Sequence, residues 1–148
     1  MILPTEQRLA DLFEADETAW LESMAELIET GNIADLDYSN LREYLTDMAL
    51  RDRREVESRL ATLLAHLLKW DHQPDHRSNS WRGTIVTQRR ELRQLLESGS
   101  LRVHAGEVLT QAYQHALDQA AAETGLERIL FQTECPWTLD ELMASNGN

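Results

Sequence analysis

Apolar side chains recur along this chain at spacings of three and four residues, the period of an amphipathic helix. The first such stripe lies between Asp16 and Thr30, and Gly31 follows at the position where a left-handed residue often closes a helix. A second stripe begins after Asp37, a residue type that caps helix N-termini. The alternation typical of strands is not convincing anywhere, so the pattern predicts an all-α fold.

The most apolar part of the chain, residues 56–70, is the predicted centre of the core. Just before it, Asp52 and Glu55 have the spacing of a capping box, which predicts a new helix, or a kink in a long one, at that point. Pro74 prevents the helical pattern from continuing, so residues 71–80 are expected to form a loop.

Three further helices are expected downstream, one ending near Gly99, one ending at Gly125 and a short one near the end of the chain. The side chains expected to cap their N-termini are Ser78 or Ser80, Ser100, and Thr138 with Glu141. The sequence therefore predicts one helical domain over residues 1–148, a bundle of four main helices plus short extra helices with its core at about 15–143. The predicted core comprises Trp20, Leu45, Leu60, Leu63, Leu64, Leu67, Trp81, Ile85, Leu92, Leu96, Leu109, Ala112 and Ala116.

The net charge of −12 is distributed unevenly along the chain. Residues 1–50 carry two arginines against twelve acids, net −10, and residues 103–148 carry one arginine against seven acids, net −6. Residues 51–102 carry eleven basic against seven acidic residues, net +4. We expect this basic middle to pack against its acidic flanks, and an acidic chain of this kind makes nucleic-acid binding an unfavoured function.

A single cysteine, Cys135, cannot form an intrachain disulfide, which fits a reducing compartment. We find no pattern of a signal peptide and no apolar run of membrane-spanning length. The expectation is a protein of the cytoplasm, without membrane association. Cys135 precedes a predicted helix start, where a thiol pKa can be lowered, but no base is evident to activate it, so a structural cysteine is expected.

Three histidines lie close in sequence, His66, His72 and His76, together with Asp71 and Asp75. All are metal-binding residue types, but the proline at position 74 makes a shared helical face for the last two histidines improbable. The spacings of di-iron and zinc-protease motifs are absent, as are glycine-rich nucleotide loops. We therefore expect no metal and no cofactor, and we expect a hydrogen-bonded core histidine at position 66.

The stretch around residues 77–82 combines Arg77, Trp81 and Arg82 with a predicted helix N-terminus. This combination could bind an anion or the carboxylate of a partner. The simpler interpretation is that the arginines pair with nearby acids and that Trp70 and Trp81 form a structural clasp. Arginines 89, 90 and 93 are interpreted as a solvated helix face.

Two tryptophan-centred segments resemble a known family. His66-Leu-Leu-Lys-Trp70, then Gln73-Pro74, then Arg77-Ser-x-Ser-Trp81-Arg-x-Thr-Ile85 resemble the hallmark of a bacterial family, domain of unknown function 29. The segment Glu134-Cys-Pro-Trp-Thr-Leu-Asp-Glu-Leu142 is similar to the family's C-terminal part, and the resemblance covers roughly residues 15–143. It implies a compact helical protein, and it implies no activity, substrate or cofactor.

The function favoured by the sequence is a protein-interaction or regulatory module. The alternative is an enzyme with an unfamiliar hydrolytic site, with or without a metal, in the segment 66–77. The candidate binding residues are His66, His72, His76, Arg77, Trp81 and Arg82. In a two-fold dimer the same surface patch of both partners is in contact, so a patch with charges of one sign repels its copy. A dimer is therefore expected to use the mixed-charge segment 51–93.

Overall fold

A computed structural model describes residues 5–144, and these contain six α-helices and no β-strand. The all-α prediction is confirmed, and the four longest helices match the four predicted main helices. Three short 3-10 helices lie in the connections, at Ile33–Asp35, Pro74–His76 and Arg128–Leu130. The α-helices are α1 (Thr5–Ala15), α2 (Glu17–Glu29), α3 (Tyr38–His72), α4 (Asn79–Leu95), α5 (Gly99–Thr124) and α6 (Leu139–Ala144).

The helix N-termini are capped largely as the side chains predict. Ser78 accepts a hydrogen bond of 3.1 Å from the Trp81 backbone N–H and thereby caps α4. At α6, Thr138 accepts from the Glu141 N–H at 3.1 Å and the Glu141 carboxylate accepts from the Thr138 N–H at 3.4 Å, so the capping box is confirmed. The start of α5 was expected at Ser100, whereas the cap is formed two residues earlier, by Ser98.

Two glycines end helices in the left-handed region of backbone space. Gly31 follows α2 with a φ of 78°, and Gly125 closes α5 with a φ of 75°. A side chain at either position would be strained, because L-residues rarely adopt a positive φ. Both predicted helix ends are therefore confirmed.

The predicted break near residue 52 is not a helix boundary, since α3 continues without interruption from Tyr38–His72. Glu55 does not cap a new helix. Its carboxylate instead accepts a hydrogen bond of 2.9 Å from Arg59, one turn further along the same helix. The loop predicted at 71–80 is also shorter than expected, because α3 extends to His72 and a 3-10 helix follows.

The chain divides into two compact units, Met1–Leu50 and Arg51–Asn148, with α3 contributing residues to each. That the whole chain is one domain stays a prediction. In the first unit, α1 packs against α2, and the buried side chains are Leu9, Trp20 and Met24. The Trp20 indole N–H donates to the Asp37 carboxylate at 3.1 Å, so the largest buried side chain of this unit also has its polar atom satisfied.

The core of the second unit comes mainly from α3, α4 and α5. Residues of α3 from Val56 to Leu68 supply the most buried row, as the apolar stripe predicts. They meet Ile85 and Leu92 of α4, and the alanine-rich face of α5, where small side chains permit close approach. No helix among residues 5–144 combines the length and apolar character needed to cross a membrane.

The short helix α6 is held by arginines that the sequence assigns to a solvated face. Arg89 is only 4% exposed and donates from Nε to the Leu142 carbonyl at 2.8 Å. Arg93 donates to the Met143 carbonyl at 2.7 Å. These carbonyls lie at the C-terminal end of α6, where the backbone is partially negative and lacks helical partners. The solvated-face interpretation is therefore wrong for Arg89.

The predicted core is buried with a few exceptions. Leu45 is 59% exposed, because it lies on a stretch of α3 between the side chains that pack into each core. Leu67 and Leu109 are half-buried and pack against the second core, and Trp81 is also half-buried. The remaining predicted core side chains are Trp20, Leu60, Leu63, Leu64, Ile85, Leu92, Leu96, Ala112 and Ala116, and all of these are buried.

Candidate functional site

The three candidate histidines do not converge. His66 and His72 lie on α3, and the Nδ1 of each is hydrogen-bonded to the carbonyl one turn earlier, at 2.9 Å from Thr62 and 3.0 Å from Leu68. His76 is exposed in the 3-10 helix. Among residues 5–144 the structure places no three histidine, cysteine or carboxylate side chains where they could share a metal ion.

His66 is half-buried beside an ion pair that the sequence pattern does not predict. Lys69 is 6% exposed, and its Nζ donates to the Glu123 carboxylate of α5 at 2.5 Å. The hydrogen bond from Lys69, together with one from Gln119, holds the pKa of Glu123 below its usual value. The sequence contains a signal for the burial of Lys69, since it is the only lysine and lies within the most apolar part of the chain, residues 56–70.

Burial lowers the pKa of His66 below 6.5, and the nearby Lys69 ammonium acts in the same direction. The hydrogen bond to Thr62 and the Glu123 carboxylate oppose this shift without cancelling it. Because the Thr62 carbonyl can only accept, Nδ1 of His66 carries the hydrogen of this bond, and the neutral ring keeps its lone pair on Nε2.

The lowered pKa of His66 makes folding stability depend on pH. As the pH falls below 6.5, His66 binds a proton more readily in the unfolded chain than in the folded one. Protonation therefore favours the unfolded state, and the free energy of unfolding falls with the pH. We expect His66→Gln to reduce this slope, measured by urea unfolding at a series of pH values between 7 and 5. An unchanged slope in the variant would show that another group carries the dependence.

The clearest cluster of functional side chains lies where α3 ends and α4 begins. Arg77 and Arg82 both place their guanidinium groups against the indole of Trp70, at 4.8 Å and 5.5 Å from the ring centroid. Arg77 also donates from Nε to the Trp70 backbone carbonyl at 2.9 Å, which fixes its position. We call these three residues the Trp70 cluster.

The expectation that these two arginines pair with nearby acids is wrong. No carboxylate among residues 5–144 forms a salt bridge with Arg77 or Arg82, although Asp71 and Asp75 are close in sequence. The stacking on Trp70 holds the guanidinium groups in place and leaves N–H donors unused. The cluster therefore presents two positive charges that this part of the chain does not neutralise.

A pocket of about 310 Å³ opens at this cluster. Trp70 and the two guanidinium groups line it together with Ser78 and Asn79, the N-cap and first residue of α4. The N-terminus of a helix carries partial positive charge and free N–H donors, which adds to the attraction for an anion. The geometry suits a carboxylate or another oxyanion.

Trp81, also a candidate, belongs to a different contact. It is half-buried, and the centroid of its ring lies 5.2 Å from the Lys69 ammonium, the cation that pairs with Glu123. Trp70 is half-buried and packs against the core of the second unit. Each tryptophan thus contacts a cation and helps to fix the connection between α3 and α4.

Cys135 lies in the connection before α6. Burial raises the pKa of its thiol, and the Sγ–H donates to the Trp137 carbonyl at 3.3 Å. A raised pKa means less thiolate at neutral pH, which disfavours a nucleophilic role.

Comparison with known proteins identifies a family for this chain. No curated protein and no solved structure matches the chain. The family model described as Domain of unknown function DUF29 matches residues 12–146, almost the whole length, including both tryptophan-centred segments. The chain therefore belongs to the DUF29 family.

Proposed function

We propose that this protein is a cytoplasmic interaction module without catalytic activity, and that the Trp70 cluster binds carboxylates of a protein partner. The observation that carries this proposal is the pair of guanidinium groups stacked on one indole and paired with no acid among residues 5–144. The cytoplasm is favoured because the lone Cys135 is compatible with a reducing compartment.

The chain offers many acids with which an arginine could pair. The protein has 26 acidic residues against 14 basic ones, so acidic side chains are abundant. Four other arginines, Arg59, Arg90, Arg102 and Arg128, do form ion pairs with acids. Arg77 and Arg82 form no such pair, and neither do several other arginines of residues 5–144, such as Arg42, Arg51 and Arg54. What sets the two at the Trp70 cluster apart is that both stack on one indole, where a partner's carboxylates can supply the opposite charge.

Preorganisation favours binding at this cluster. Arginine side chains lose conformational entropy when a ligand fixes them, typically about 0.5–1.5 kcal/mol for each immobilised side chain. Here the stacking on Trp70 and the hydrogen bond from Arg77 to the Trp70 carbonyl limit this loss in advance. The planar guanidinium group can then donate two parallel hydrogen bonds to one carboxylate.

A protein partner is favoured over a nucleic acid. The phosphates of a nucleic acid are negatively charged, and so is the protein, with a net charge of −12. Long-range repulsion between them would oppose binding. A short acidic segment needs to meet only the local positive charge of the cluster, because screening at physiological salt limits repulsion from charges beyond about 8 Å.

The proposal is tested with a short fluorescent peptide in which glutamate alternates with glycine, and with its glutamine counterpart. We expect fluorescence anisotropy to show binding of the acidic peptide only, with an affinity that falls as salt is added. The double variant Arg77→Ala, Arg82→Ala should weaken binding by about tenfold or more, because hydrogen bonds to charged groups are each worth about 1.5–3 kcal/mol.

Arg90 provides the control, since it is an exposed arginine on α4, the helix of Arg82, and lies outside the pocket. Arg90→Ala should bind the acidic peptide as the wild type does. Equal binding of the glutamate and glutamine peptides, or an equal loss in the Arg90 variant, would refute a carboxylate site at the Trp70 cluster.

A further inference from the structure

A second and larger cavity lies in the unit formed by residues from Arg51 onward, away from the residues of the Trp70 cluster. It is a groove of about 450 Å³ along α3 and α5. This volume lies within the range of small-molecule sites, about 300–1,000 Å³. Its floor is formed by small apolar side chains, among them Ala61 of α3 and Ala112 of α5.

One wall of the groove is a row of polar side chains on α5. Gln111, His115 and Gln119 follow each other at intervals of four residues, so they lie on one face and span about 12 Å along the helix axis. Gln119 is occupied by a hydrogen bond to Glu123. The side chains of Gln111 and His115 form no hydrogen bond or ion pair with any residue from 5 to 144.

The opposing wall carries one charge of each sign. Arg54 and Glu57 both line the groove from α3, three residues apart and therefore on the same side of the helix. They do not pair with each other. Glu57 Oε1 lies 3.1 Å from His104 Nε2, which anchors the carboxylate and leaves its second oxygen available. Arg54 is exposed and has no acidic partner in the described part of the chain.

From this arrangement we infer that the groove binds a zwitterionic small molecule of the α-amino-acid type. The carboxylate of the ligand meets the Arg54 guanidinium, and its ammonium meets the free oxygen of Glu57. Its side chain extends along the row of Gln111 and His115, above the alanine floor, so a polar side chain is preferred. A purely anionic ligand would leave Glu57 unsatisfied, and a purely cationic one would face Arg54.

The test is a thermal-shift screen of the full-length protein with the free L-α-amino acids, followed by calorimetric titration of those that raise the Tm. We expect at least one polar amino acid to bind, and its N-acetyl and carboxamide derivatives, which each lack one of the two charges, to bind at least about tenfold more weakly. Arg54→Ala and Glu57→Gln should each weaken binding of the amino acid by a similar factor. Arg51→Ala, an exposed arginine of α3 outside the groove, should not.

Two results would overturn the inference. One is the absence of a Tm increase and of binding heat with every amino acid. The other is binding that survives in both groove variants or is shared by the charge-blocked derivatives. The variants at Arg77 and Arg82 leave this site intact, so failure at the groove and failure at the Trp70 cluster are seen separately.

Discussion

Replacing Leu64 by alanine should lower the free energy of unfolding by about 2–5 kcal/mol. Leu64 is fully buried in the C-terminal half of α3, among the side chains that α4 and α5 pack against. The substitution removes apolar contacts and leaves a cavity that close-packed neighbours can fill only in part. Urea or thermal unfolding, followed by circular dichroism, measures the change.

Leu45 provides the control for this experiment because it is the same residue type on the same helix but is 59% exposed. Leu45→Ala should change the free energy of unfolding by no more than about 0.5 kcal/mol. A comparable loss in both variants would contradict the assignment of the core to residues from Val56 onward and would indicate that Leu45 is covered in solution.

Replacing Trp20 by alanine should cost about 3–5 kcal/mol, and the loss should be confined to the first unit. Trp20 is fully buried, contacts the ring of Phe13 at 4.7 Å and donates to Asp37 at 3.1 Å. A core this small rarely contributes more than about 3–5 kcal/mol in total. The variant therefore loses most of what holds α1 and α2 together.

Hydrogen exchange locates this loss along the chain. In Trp20→Ala, amides of α2 should lose their protection, whereas those of α4 and α5 should keep it. Ile33→Ala, a substitution of a 46% exposed side chain in the same unit, should leave exchange as in the wild type. Retained protection of α2 in the tryptophan variant would show that Trp20 does not hold this unit together.

Most helix boundaries follow from interactions between residues that are close in sequence. Ser78, Gly125 and the pair of Thr138 and Glu141 act at helix ends as their chemistry predicts, because capping depends on neighbours within a few residues. At Asp52 the same spacing does not mark the start of a new helix, since α3 continues through this residue. An acid three residues after another polar residue also fits a helix interior, where Glu55 pairs with Arg59.

The apolar pattern of the sequence does not predict helix α1, and the reason is physical. Only Leu9 is buried along its 11 residues, so the apolar stripe is short and is stabilised by packing against α2 rather than by a repeating pattern. Arg89 shows the complementary case. Its spacing from Ile85 and Leu92 places it on the apolar stripe, unlike Arg90, but the carbonyl that it meets belongs to Leu142, 53 positions later in the chain.

The sequence indicates which residues form the candidate site but not which partners they contact. The sequence shows Arg77 and Arg82 near a helix start, but whether they neutralise acids or stack on Trp70 depends on how α3 and α4 meet. The pairing of Lys69 with Glu123 is equally non-local, since 54 positions separate the two residues. The histidines were near in sequence, yet helix geometry turned two of them toward their own backbone.

The central claim, that the Trp70 cluster receives carboxylates, is tested most directly by NMR of the four tryptophan indole N–H signals during titration with the glutamate peptide. Assignment by single Trp→Phe substitutions identifies each signal. We predict that the Trp70 signal shifts progressively with peptide and that the signal of Trp20, buried in the other unit, stays in place. A Trp70 signal that does not move at saturating peptide, or a Trp20 signal that moves as much, would contradict the account.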